Sequence, residues 1–150
     1  MNITWIVATL HLLALGIGLG VIWTRARALK GLPDLANLRR ALIADSLWGV
    51  AALLWISTGL ARAFLGLEKG SAYYLNNNVF WLKMVLLVLI LLLEIWPMIT
   101  LIRWRLKLSR GEEVDTRQAN SFAVISVVQA SLVVAMVFVA TAMARGIGAF

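Results

Sequence analysis

Apolar residues in this chain fall in long runs, not at the spacing of a helix that is half buried and half in water. Four runs stand out, at about 3–24, 42–61, 79–102 and 121–144. Each reaches the roughly 20 residues that a helix needs to cross a hydrocarbon core about 30 Å thick. In lipid, backbone amides must be satisfied within the segment, so such runs predict helices. The pattern therefore predicts an all-α polytopic membrane protein, a four-transmembrane-helix bundle that forms one domain over residues 1–150. The first run reads as a retained helix and not a signal peptide, because Met1-Asn2 brings no basic n-region and the run is too long for an h-region.

Polar residues collect in three gaps. Residues 25–41 contain the turn signal Gly31-Leu32-Pro33, residues 62–78 contain Gly66, Gly70 and Asn76-Asn77-Asn78, and residues 103–120 hold Glu112, Glu113 and Asp115. Lys and Arg divide unevenly among these gaps. The first holds Arg25, Arg27, Lys30, Arg39 and Arg40, and the third holds Arg103, Arg105, Lys107, Arg110 and Arg117, whereas the middle one has only Arg62 and Lys69. By the positive-inside rule the loops 25–41 and 103–120 are cytoplasmic and both termini lie outside.

Composition fits this reading. At 62% the apolar fraction exceeds the 45–50% of an average soluble domain, and only 14% of residues are charged. The net charge of +7 would raise the question of nucleic acid in a soluble chain. Here the bases flank apolar runs, so they read as topology signals and headgroup contacts in a lipid bilayer, with no nucleic-acid partner. The absence of cysteine excludes disulfides, thiolate metal sites, iron–sulfur clusters and covalently attached haem. Trp5 and Trp81 are expected at the outer interface and Trp23, Trp48, Trp96 and Trp104 at the inner one. Trp55, at mid-depth, is expected to face a neighbouring helix or a ligand.

Three ionisable residues lie well inside the runs, His11, Lys83 and Glu94, and each is a candidate for function because charge is costly there. The 1.5 Å rise per residue puts His11 roughly 12 Å below the outer boundary, with Met136 at about the same level, and Lys83 roughly 6 Å below it. His11, Lys83, Met84, Met136 and Arg62 thus belong to one outer-half zone, while Glu94 falls near the levels of Asp45 and Gln129. On the first helix Thr4, His11, Gly18 and Arg25 recur every seven residues, so the imidazole stands above a glycine on one face. The missing side chain leaves a slot for a flat ring or for a tightly packed helix. Each residue also has a structural reading. His11 fits a hydrogen bond between helices, Lys83 fits snorkelling to the interface, and Glu94 fits a carboxyl protonated by burial unless a basic or polar partner is near. Pro97 fits a helix kink.

The residues from His11-Leu12-Leu13 through Asp45-Ser46-Leu47-Trp48-Gly49, Gly66-Leu67-Glu68-Lys69-Gly70, Phe80-Trp81-Leu82-Lys83 and Ile102-Arg103-Trp104 resemble an uncharacterised family of small bacterial membrane proteins. More distantly, His11 and the Trp81-Leu82-Lys83 motif resemble HemJ-type protoporphyrinogen oxidases and CopD-like membrane domains. The chain departs from HemJ after the first helix, where it has Val21-Ile22-Trp23-Thr24-Arg25. The resemblance implies the bacterial inner membrane and a haem b site with His11 as the metal ligand. Gly18, Lys83, Met136 and Arg62 would line that site, and Lys83 and Glu94 would be catalytic in oxidising a quinol or tetrapyrrole. The competing expectation is a non-catalytic accessory subunit, in a homo-oligomer or a larger membrane complex.

Overall fold

Residues 2–148 are described by the computed structural model. The helices are α1 (Ile3–Lys30), α2 (Leu35–Phe64), α3 (Ser71–Leu75), α4 (Asn78–Ser109) and α5 (Ala119–Ala144). All but α3 are long and apolar enough to cross a membrane. The protein is an all-α bundle of four spans, and its environment is a lipid bilayer. Outward-facing Leu53 and Phe138 are each 72% exposed, an arrangement that only hydrocarbon tolerates at this density.

Three of the long helices outrun their apolar cores. α1 continues through Arg25, Arg27 and Lys30, α2 begins before Arg39 and Arg40, and α4 carries on to Ser109. Hydropathy marks where a helix leaves hydrocarbon, not where its hydrogen bonding stops, and Lys and Arg are good helix formers. The gap expected at 25–41 shrinks to residues 31–34. There Asp34 caps α2 by accepting from the Asn37 amide at 3.0 Å. The gap expected at 62–78 narrows to residues 65–77 and holds the short helix α3, and Asn77 caps α4 through the amides of Val79 and Phe80. α4 runs unbroken across the buried Pro97.

Within the bundle α1 packs most closely on α2 and next on α5. α4 packs on α5, and α2 and α4 barely touch. Apolar packing forms three layers. One, around Leu29, Leu101 and Phe122, lies at the end with the short loops. A second, around Trp48, Ile90 and Val133, lies in the middle, and a third, around Tyr74, Phe80 and Met143, lies near the termini.

Two expectations about tryptophan and glycine need correction. Trp48 and Trp104 are buried in the bundle and take no part in an interfacial belt; Trp5, Trp23, Trp81 and Trp96 remain exposed. A Cβ at Gly18 would stand 3.1 Å from the Trp48 ring, so the slot below His11 is filled by indole. Gly16 and Gly20 have open space where a Cβ would be.

Candidate functional site

In the terminus-bearing half, the space that α2 and α4 leave between them is a cavity of about 360 Å³, lined from α1, α2, α4 and α5 and from the segment around α3. That volume lies at the low end of the 300–1,000 Å³ typical of ligand sites. His11, Lys83, Met136 and Arg62 all line it, as do Met84 and Trp55. Gly18 lies outside it, against Trp48, and so does Glu94.

His11 is 8% exposed and is tied to α2. Its Nδ1 lies 3.0 Å from the Trp55 carbonyl oxygen and 3.0 Å from Thr58 Oγ1. The ring lies against Gly59, where a Cβ would come within 3.0 Å of Cε1. Trp55, Thr58 and Gly59 are spaced i, i+3, i+4, so one face of α2 receives the whole imidazole. No hydrogen bond of Nε2 occurs among the described residues, and none of their buried polar side-chain atoms lacks a partner. Nε2 therefore opens onto the cavity.

The cavity wall is cationic. Arg62 donates to Glu68, its Nε at 2.8 Å, and Tyr74 donates its hydroxyl to the same carboxylate at 2.8 Å. Burial pushes the Glu68 carboxyl up, but Arg62 and Tyr74 outweigh burial and hold it below the usual carboxylate range. Burial and the neighbouring Glu68 push the Tyr74 hydroxyl upward, so it remains a donor at neutral pH. Lys69 Nζ sits 3.3 Å from Tyr73 Oη and from the Ala144 carbonyl, and 4.5 Å over the Tyr73 ring. Lys83 makes no ion pair or hydrogen bond among the described residues. Three cations thus face the cavity with one carboxylate among them, an arrangement complementary to an anionic group on an otherwise apolar ligand.

A second cluster lies toward the short-loop end and was hidden in the sequence. Arg25, with a basic-loop position by hydropathy, is fully buried in α1. It donates to Asp45 at 2.8 Å, to both oxygens of Glu94 at 2.6 and 2.8 Å, to Gln129 at 2.8 Å and to Ser126 at 3.0 Å. Gln129 donates in turn to Glu94 at 2.8 Å. Arg105 approaches Asp45 at 4.0 Å from a half-exposed position. Every long helix contributes to this cluster. Glu94 has a basic partner in Arg25 and lies at the expected level near Asp45 and Gln129, away from His11 and Lys83. One signal pointed to Arg25: it shares the seven-residue register of His11 and Gly18 on α1. Thr58 and Gly59, on another helix, had no such signal.

Among the described residues, no group of three His, Asp or Glu side chains is arranged to hold a metal ion. A bare ion ordinarily takes several protein ligands, which no such group supplies among the described residues.

Residues 3–148 match a family described as Predicted membrane protein (DUF2214). No curated protein and no solved structure matches the chain.

Proposed function

The chain belongs to the DUF2214 family of predicted membrane proteins, and on that premise we propose that it is a membrane haem b redox protein whose haem is held through His11. The observation that carries this reading is the imidazole itself, tied by Nδ1 to α2 with Nε2 open to an apolar cavity. A ligating histidine commonly has its second nitrogen bonded to a carbonyl in this way. The donor set suits haem b. Met136 and Met84 line the cavity as soft ligands or packing, and Arg62, Lys69 and Lys83 match the two carboxylates of the macrocycle. When bound, haem b supplies one-electron chemistry toward a lipid-phase quinol or tetrapyrrole. The chain's own residues orient the ligand and keep bulk water away from its apolar faces, and Lys83 holds an acidic group near His11.

The test is the absorption spectrum of protein produced with ample haem and purified in detergent, oxidised and then dithionite-reduced. A Soret band and a sharpened reduced α-band are expected. No band in correctly folded protein overturns the proposal and leaves the accessory-subunit reading.

We also propose that the short loops face the cytoplasm. Even with Arg25 set aside as buried, Arg27, Lys30, Arg39 and Arg40 flank one loop and Arg103, Arg105, Lys107, Arg110 and Arg117 the other. The chain has no cysteine, so single cysteines at the exposed Ala36 and Glu112 give clean reporters. An impermeant maleimide added to intact cells should leave both unlabelled and label a cysteine at Lys69. The opposite pattern would reverse the orientation.

A further inference from the structure

We propose that Thr58 is a positioning residue that, together with the Trp55 carbonyl, sets which nitrogen of His11 offers its lone pair to the cavity, and hence which chemical class of ligand atom His11 can meet. The inference rests on the reading of the cavity as a His11 site for its consequence, but on hydrogen-bond geometry alone for its substance.

A neutral imidazole carries one N–H and one lone pair, and the partners at each nitrogen settle which is which. The Trp55 carbonyl, 3.0 Å from Nδ1, can only accept. Thr58 could in principle donate or accept, but its hydroxyl has a single hydrogen. Oγ1 lies 2.6 Å from the Leu54 carbonyl and 3.1 Å from the Trp55 carbonyl. The 2.6 Å contact with the Leu54 carbonyl is shorter than the 3.0 Å to Nδ1, so the hydrogen goes to the hydroxyl's own helix and Oγ1 presents a lone pair to His11. Threonine back-bonding of this kind is common in helices and by itself implies nothing. Here it turns an ambiguous hydroxyl into an acceptor. Both groups at Nδ1 then accept, Nδ1 carries the proton, and Nε2 faces the cavity as an electron-pair donor. Gly59, one residue on, has no Cβ to push Cε1 away.

The consequence is a rule for the occupant. At Nε2 the cavity takes an electron-pair acceptor or a hydrogen-bond donor: a metal centre, a hydroquinone O–H or a pyrrolic N–H. A quinone carbonyl, itself an acceptor, is not met by His11. The hydrogen bonds at Nδ1 also strengthen Nε2 as a donor.

His11 is the only histidine, so the full chain labelled with ¹⁵N-histidine and reconstituted without haem in lipid nanodiscs gives imidazole nitrogen signals from this ring alone. At a pH where the ring is neutral, the wild type should show a protonated Nδ1 and a lone-pair Nε2. Thr58→Val keeps the shape and removes the acceptor, so the tautomer ratio should move toward Nε2–H by about fivefold, the effect of one net hydrogen bond. Thr58→Ser should restore the wild-type ratio. A wild-type ring protonated on Nε2, or a Thr58→Val ratio equal to the wild type's, overturns the inference. If Thr58→Val does not fold, the wild-type tautomer alone still decides. A chain without haem whose Nδ1 is protonated keeps this inference and loses the haem proposal; a chain that binds haem but, when haem-free, is protonated on Nε2 does the reverse.

Discussion

Arg25→Met is expected to destabilise the bundle by about 3–5 kcal/mol, the scale for removing one partner of a buried ion pair. The cost comes from what stays behind. Glu94 would remain in the interior with no guanidinium and Asp45 with only the distant Arg105 at 4.0 Å, and Gln129 and Ser126 would each lose a bond. The thermal unfolding midpoint in detergent should fall on the order of 10 °C. Arg25→Lys should fall short of rescue, because a single ammonium cannot repeat the two-pronged contact with Glu94. The decisive comparison is the triple variant Arg25→Met with Asp45→Asn and Glu94→Gln. It removes the orphaned charges together and should recover most of the loss. Thermal scans in which Arg25→Met matches the wild type, or in which the triple variant is no better than the single one, would refute this account.

His11→Ala should abolish the haem spectrum entirely while leaving expression and membrane insertion intact. No other imidazole exists in the chain, so within one chain nothing of equal strength can replace it. The fold should survive because the deletion strands no donor. Thr58 keeps its bond to the Leu54 carbonyl, and the Trp55 carbonyl stays within α2. Removing a polar group from a span does not oppose insertion. Lys83→Ala should keep part of the haem and shift its spectrum or slow electron transfer, since Lys83 lines the same cavity without holding His11. Full wild-type absorbance in purified His11→Ala would remove His11 as the ligand.

The sequence by itself determined the number of spans, the position of each helix core and the level of most interior polar groups. Those properties follow from hydropathy and a fixed rise per residue, both of which are local. The grouping of His11, Lys83, Met84, Met136 and Arg62 in one zone was legible for that reason, and all five line one cavity. Tertiary structure decided the rest. Arg25 looked like a loop cation because hydropathy scores each side chain against lipid one at a time. Its burial depends on acceptors 20, 69, 101 and 104 residues away along the chain. The same separation kept Glu94's partner out of view. Gly18 offered an empty slot only until α2 packed and Trp48 filled it. The tautomer of His11 belongs to this class too, since it is set by Thr58 and the Trp55 carbonyl, 47 and 44 residues on. Depth along one helix is a property of that helix, whereas the identity of the group facing a buried charge exists only once the helices have packed.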